Sequence, residues 1–384
     1  MITSQEELGA WLRLSLTHGI GNEAMRRLLG AFGLPQAVFA QSSSNLRQIV
    51  SAAQTLALQK EPDGWHTLVD DTWAWLQTPA PEGVQRAIVT LSDPDYPSAL
   101  LDMPDPPVIL YALGQTQWLH TLTAASCIAI VGSRNPTPQG AQNAQAFAQA
   151  LSAAGLTVVS GLALGVDGAA HEGALVGAAP QALATLAVVG TGLDRVYPKH
   201  HLTLAHHIAQ RGLILSEYPL GTPPLSANFP KRNRIISGLS QATLVVEAAL
   251  KSGSLITAKQ ALEQGKEVLA IPGSIHSTQA KGCHSLIKQG AKLVESAQDV
   301  LEELRVPDPF KAPTQATPEQ ASNAATPDEE SLLACMGYDP VGLDALQARC
   351  GLNTAQLQAQ LLTLELEGLV GRLPGGLFQR MARG

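Results

Sequence analysis

Ile128-Ala129-Ile130-Val131-Gly132-Ser133-Arg134 is a short, wholly apolar β-rich run that ends in two small residues and a cation. A helical pattern follows at 139–153. The same alternation recurs through the middle of the chain. Further strand-like runs lie at 157–160, 185–189, 213–216, 243–247, 267–271 and, shorter, 292–294, with helical stretches such as 255–264 between them. Near-continuous Ile, Val, Ala and Leu in such runs means burial on both faces, and strands alternating with helices predict a mainly parallel, doubly wound α/β sheet. An open sheet of this kind binds its ligand beyond the carboxyl ends of its strands. Attention therefore falls on the loops that follow each run.

Outward from that core, the chain of 384 residues has room for two or three domains. Hydrophobic residues make up 45% and charged residues 15%, a balance that excludes a disordered or fibrous chain. Residues 1–80 are expected to form a helical domain: 8–39 is helical in pattern and holds His18-Gly19-Ile20-Gly21, similar to the turn of a helix-hairpin-helix. Such a turn can offer N–H groups to a phosphate, but the motif alone is weak and a plain tight corner between helices is the favoured reading. Residues 81–305 form the sheet domain. Within it, proline-rich 93–107 leads into 108–113, which reads as an edge strand.

Residues 306–327 contain five prolines among Ala, Thr, Gln and Ser and read as a flexible linker. Residues 328–384 read as helices at 330–336, 342–350 and 353–367, then two short strands around Pro374-Gly375-Gly376. Three helices and a hairpin resemble a winged helix. Its third helix offers Gln356, Gln358 and Gln360 and no Lys or Arg, which favours packing or protein contact over reading DNA.

Charge is unevenly spread. Residues 1–124 carry 6 basic and 12 acidic side chains, 125–305 carry 14 and 11, and 306–384 carry 5 and 9. The middle third is the place for an anionic ligand. Cys127, Cys283, Cys335 and Cys350 are far apart, without a CxxC pair, as suits reduced thiols. Neither a basic-then-apolar leader nor a long apolar span is visible, so a cytoplasmic protein is expected.

Among the loops, Gly132-Ser133-Arg134 combines close backbone approach with a bidentate phosphate donor. The loops Ser160-Gly161-Leu162-Ala163-Leu164-Gly165 and Gly190-Thr191-Gly192 depart from dinucleotide and P-loop fingerprints, which disfavours a dehydrogenase or an ATPase. Asn228-Phe229-Pro230-Lys231-Arg232-Asn233-Arg234 sets three cations beside an aromatic ring, the pairing a single-strand groove requires. Lys251-Ser252-Gly253-Ser254 adds a cation, hydroxyls and the start of a helix. Asp167 and His171, one helical turn apart, could form an acid/base pair, but an Asp capping N–H groups and bonding a His is a common structural device. The spacing of His200, His201, His206 and His207 does not suit a metal site.

Taken together, Gly132-Ser133-Arg134, the Ser160 to His171 segment, Gly190-Thr191-Gly192-Leu193-Asp194-Arg195-Val196-Tyr197-Pro198, Ser216-Glu217-Tyr218-Pro219, Phe229-Pro230-Lys231-Arg232-Asn233-Arg234 and Lys251-Ser252-Gly253-Ser254-Leu255-Ile256-Thr257 resemble the DprA/Smf family of bacterial DNA-processing proteins. The resemblance is strong over about 85–300 and looser in the flanks. It implies a Rossmann-like core that binds single-stranded DNA without sequence preference, forms a homodimer, protects strands during natural transformation and helps load RecA recombinase onto DNA covered by single-strand-binding protein. It implies no cofactor and no enzymatic activity. By motif, Arg134, Lys231, Arg232, Arg234 and Lys251 would hold phosphates, Gly132 and Ser133 would form the first loop, Ser252, Gly253 and Ser254 would donate hydrogen bonds, Phe229 would lie near a base and Asn233 beside it. One of Arg232 and Arg234 is open to facing inward. His201 stands where the family often has Asn. The alternatives are a nucleotide phosphoribohydrolase of the LOG type, whose PGGxGT loop diverges here at Pro272-Gly273-Ser274, and a scaffold acting through the winged helix.

Overall fold

The structure, a computed structural model, describes residues 2–306, 332, 333 and 335–381. The expected linker lies outside the described residues except for Val306, and so does part of the expected helix at 330–336. Six helices come first: α1 (Gln5–Leu16), α2 (Asn22–Phe32), α3 (Pro35–Phe39), α4 (Ser43–Leu46), α5 (Ala52–Leu58) and α6 (Trp65–Gln77). Then follow β1 (Gln85–Thr90), β2 (Ile109–Gly114), β3 (Cys127–Gly132), α7 (Pro138–Ala153), β4 (Thr157–Ser160), α8 (Val166–Gly177) and β5 (Thr185–Val188). The sheet domain continues with α9 (Leu202–Arg211), β6 (Leu213–Ser216), α10 (Asn228–Gly238), β7 (Ala242–Val246) and α11 (Ser254–Glu263). It closes with β8 (Glu267–Ala270), α12 (Lys281–Lys288), β9 (Lys292–Leu293) and α13 (Ala297–Glu303). The seven strands expected from apolar runs all form, each within one residue of its expected bounds.

The nine strands lie in the order β1-β2-β6-β5-β4-β3-β7-β8-β9. From β6 to β9 the pairings are parallel, while β2 runs antiparallel to both β1 and β6. This is the doubly wound, Rossmann-like α/β sheet expected. One expectation is corrected: the strand at 108–113 is not the edge. It forms β2, and the outermost position belongs to β1, whose register pairs Gln85 with Gly114 and Thr90 with Ile109.

Alternation along β3 feeds two cores. Ile128 and Ile130 pack with Ala144, Phe147 and Leu151 of α7 and Ala170 and Ala174 of α8. Ala129 and Val131 face the opposite layer, with Ile235 and Ile236 of α10 and Ala258 and Ala261 of α11. A third core joins Leu8, Trp11, Leu12 and Leu28 of the first helices to Ile88, Ile109 and Tyr111 of the antiparallel strands. The helical N-terminal region therefore shares its core with the sheet.

At the C-terminus, β10 (Val341–Gly342), α14 (Leu343–Cys350), α15 (Thr354–Leu366), β11 (Val370–Leu373) and β12 (Leu377–Arg380) form a winged helix. Its small sheet has the order β10-β12-β11, so the expected hairpin gains a third strand. Leu346, Leu357, Leu361, Leu364 and Phe378 fill its centre.

Candidate nucleic-acid interface

Chain connections run from β3 through β4 and β5 toward one edge of the sheet, and from β7 through β8 and β9 toward the other. The adjacent strands β3 and β7 thus flank the topological switch point, where an open α/β sheet leaves a crevice. The loops after β3 and β7 meet there with the first turns of α10. They bound a cleft of about 650 Å³.

Close approach shapes the first wall. A Cβ at Gly132 would lie 1.9 Å from the Val246 carbonyl oxygen, so only glycine lets β3 end against β7. Ser133 Oγ accepts from the Asn135 N–H at 3.1 Å and tightens the turn. Thr137 caps α7 by accepting from the Gly140 N–H at 3.0 Å. Glu247, just past β7, accepts from the Thr137 N–H at 2.8 Å and from its hydroxyl. Arg134 is left exposed on the rim, with its guanidinium carbon 5.6 Å from the centroid of the Phe229 ring.

The second wall is the start of α11. No side chain caps this helix of 10 residues, and Gly253 at its N-cap is exposed. The Ser252 and Ser254 hydroxyls bond each other at 2.7 Å, with Lys251 exposed beside them. A helix N-terminus, two hydroxyls and an ammonium favour a phosphate at this point.

Helix α10 divides its residues between two hollows. Phe229, Arg232, Asn233 and Ile236 face the cleft, as their spacing of three and four positions requires. Lys231 and Arg234, also three apart, face a separate hollow of about 670 Å³ that the Ile20-Gly21 turn between α1 and α2 also lines. Of the residues singled out in the sequence, the cleft therefore gathers Gly132, Ser133, Arg134, Phe229, Arg232, Asn233, Lys251, Ser252, Gly253 and Ser254, but neither Lys231 nor Arg234. The three cations read together in the sequence thus lie on two faces of α10, Arg232 toward the cleft and Lys231 and Arg234 toward the other hollow.

Arg232 forms the floor of the cleft and is only 5% exposed. Its guanidinium lies against Gly161, where an added Cβ would meet Nη1 at 1.5 Å. Opposite stands Asp167, which accepts from the N–H groups of Gly161 at 3.1 Å and Ala163 at 3.2 Å. Burial lowers the Arg232 guanidinium to about 10, with the Asp167 carboxylate opposing the shift. Burial also pushes the Asp167 carboxyl up, with Arg232 pulling it back. Desolvation outweighs mutual attraction for both groups.

In the other hollow, Arg234 donates to the Asp105 carbonyl at 2.6 Å and forms a short ion pair with Glu217. Burial raises the Glu217 carboxyl, partly offset by Arg234, and the Asn22 side chain also bonds it. The start of α2, which the sequence offered to a phosphate, thus faces a carboxylate of the protein itself.

A family model for DNA recombination-mediator protein A matches residues 87–305, and one for the DprA winged helix domain matches 316–376. Protein Smf of Escherichia coli K12 is 37% identical over 385 aligned positions, covering 97% of this chain and 96% of that protein. The chain belongs to the DNA recombination-mediator protein A family. Another member, the DNA processing protein DprA of Bacillus subtilis, is 44% identical over 56% of this chain and 70% of its own length. Among solved members, DprA of Streptococcus pneumoniae superposes with a TM-score of 0.64 at 35% identity, covering 79% of this chain and 99% of that one. DNA processing protein A of Helicobacter pylori, whose structure was solved for its single-stranded DNA binding mode, gives a TM-score of 0.50 at 34% identity, covering 57% and 95%.

Asp167 does not bond His171. Instead His171 Nδ1 meets the Thr185 hydroxyl at 2.7 Å, and that hydroxyl donates to the Val158 carbonyl, so the imidazole is the donor of the pair. His201 Nδ1 lies 3.0 Å from the Leu162 carbonyl. Among the described residues no group of His, Cys, Asp and Glu could hold a metal ion. Likewise, no helix among them is long and apolar enough to cross a membrane. All four cysteines are free. Sequence reasoning passed over Tyr197, Asn135 and Gln279, which also line the cleft. Tyr197 carries no charge and sits in a loop; its one signal was its place in the Gly190 to Pro198 motif.

Proposed function

We propose that this chain binds single-stranded DNA without sequence preference in the cleft between Arg134 and Lys251. It protects the strand there and, as a homodimer, helps load RecA recombinase onto DNA covered by single-strand-binding protein. One observation carries the reading: the switch point of the sheet collects Arg134, Lys251, the uncapped start of α11 and the Phe229 ring in a single open cleft. Phosphates and base faces are common to every nucleotide, so such a set holds a strand without reading its sequence. The Helicobacter pylori relative, known for single-stranded DNA binding, supports the same ligand for this chain.

The reading is of a binding protein and not of a catalyst. Asp167 lines the cleft but its carboxylate is engaged by two backbone N–H groups beside the Arg232 guanidinium, and His171 is 0% exposed, so the two do not form an acid/base pair. Fluorescence anisotropy with a labelled oligo-dT and its duplex, followed by RecA filament assembly on strands coated with single-strand-binding protein, tests the proposal. Strand-selective binding with faster filament assembly is the expected result. Equal binding to duplex, or no effect on assembly, would overturn the corresponding half.

A further inference from the structure

The hollow faced by Lys231 and Arg234 has the parts of a second binding site, apart from the strand-binding cleft. Its volume of about 670 Å³ falls within the range of small-molecule pockets, roughly 300–1,000 Å³. Two polar side chains that line it carry atoms with no hydrogen-bond partner among the described residues, the Tyr111 hydroxyl and Gln260 Oε1. Tyr111 is only 1% exposed, and the edge of Trp75, 6.4 Å away between ring centroids, helps to fix its ring. Gln260 is held as well, because its Nε2 donates to the Pro230 carbonyl at 3.2 Å. Buried polar atoms left unpaired are costly, and a ligand that supplies the missing donor and acceptor relieves that cost.

Charge in the hollow is balanced. Arg234 and Glu217, 14% and 12% exposed, pair with each other, and the half-open Asp105 carboxylate is offset by the exposed Lys231. A charged ligand would meet an opposing charge beside each attracting one and would also lose its hydration. A neutral ligand avoids both penalties. Ile20, Met25, Val108 and Ile109 supply an apolar wall suited to a flat ring. Gln260 Oε1 calls for a donor, and the Tyr111 hydroxyl can donate or accept. The Glu217 carboxylate has lone pairs beyond those used by Arg234 and Asn22, and these can accept from sugar hydroxyls. A ring, an edge of donors and acceptors, and free hydroxyls together describe a nucleoside. We infer that this hollow, between the start of α2 and α10, binds an uncharged ribonucleoside, held by Tyr111, Gln260 and Glu217. The inference is independent of the single-strand reading given above.

The test titrates the full chain with adenosine, guanosine, cytidine and uridine, and with their 5′-monophosphates, by isothermal titration calorimetry. At least one nucleoside is expected to bind at one site per chain and more tightly than its monophosphate. Tyr111→Phe, which deletes only the hydroxyl, should weaken that binding by about 5- to 150-fold, the cost of leaving a ligand group unpaired. Gln260→Met, similar in shape but without the acceptor, should weaken it by a similar factor. Urea unfolding checks that both variants are folded, and their oligo-dT affinity stays at the wild-type value because the hollow is separate from the cleft. Absence of binding by all four nucleosides would overturn the inference. Equal nucleoside affinity in wild type and both variants, or competition between nucleoside and oligo-dT, would place the ligand elsewhere and overturn it too. Monophosphates that bind as tightly as nucleosides would refute the choice of a neutral ligand.

Discussion

Glu247 and Thr137, 110 positions apart in sequence, are clamped together: the Glu247 carboxylate accepts from both the N–H and the hydroxyl of Thr137. Glu247 holds this position at φ +49, a left-handed conformation that favours glycine. The side chain, which glycine would lack, ties the end of β7 to the start of α7 and so fixes the loop that carries Arg134. Glu247→Ala leaves the Thr137 N–H without its partner and is expected to cost about 1–3 kcal/mol in urea unfolding. It should also weaken oligonucleotide binding, since the Arg134 loop loses its anchor. Unchanged stability and affinity together would show that the clamp has no such role.

Arg234 and Arg134 are expected to respond oppositely to mutation. The side chains of Arg234 and Glu217 are only 14% and 12% exposed, so Arg234→Ala strands a buried carboxylate. Breaking such a pair costs about 3–5 kcal/mol, to be read from urea unfolding, with no change in the salt slope of DNA binding. Arg134→Ala, at an exposed site, is expected to leave stability within about 0.5 kcal/mol of wild type and to lower the slope. A lowered slope in Arg234→Ala at unchanged stability would place Arg234 on DNA after all.

The parallel strands were legible because each is an apolar run bounded by turn residues and buried on both faces. β1 was not: Gln85-Arg86-Ala87-Ile88-Val89-Thr90 begins polar, and its pairing with β2 is set by a distant hairpin-like return. The cleft was legible as a set of loops after strands. Which cations it gathers was not, because the cluster from Lys231 to Arg234 was read as a stretch of charge. At 100° per residue, Arg232 follows Phe229 onto one face of α10 while Lys231 and Arg234 share another. Helical period alone therefore held the signal. The carboxylate that pairs with Arg234, by contrast, comes from the residue just after β6, 17 positions earlier in the chain, and no helical or strand period announces it.

His171 provides a pH signature. Its ring is fully buried, and burial lowers its pKa to about 3 from the usual 6.5. Above pH 6.5 the imidazole is neutral in both folded and unfolded chains, and its contribution to stability is fully present. As pH falls below 6.5 the unfolded chain takes up a proton that the folded chain refuses, and stability declines by about 1.4 kcal/mol per pH unit until about pH 3. His171→Gln removes this titration. Urea unfolding at pH 7 and pH 4 should show a smaller acid loss in the variant, by about 3 kcal/mol at most. Identical losses in both proteins would exclude the imidazole as the source.

The central claim is that Arg134 and Lys251 contact the phosphates of a single strand in one cleft. The most direct measurement is the slope of log affinity against log salt for oligo-dT, in wild type and in Arg134→Ala/Lys251→Ala. Each phosphate contact on a single strand contributes about 0.7, so the double variant should lose about 1.4 from the slope and bind weakly while remaining folded. Equal slopes in the two proteins would contradict the account.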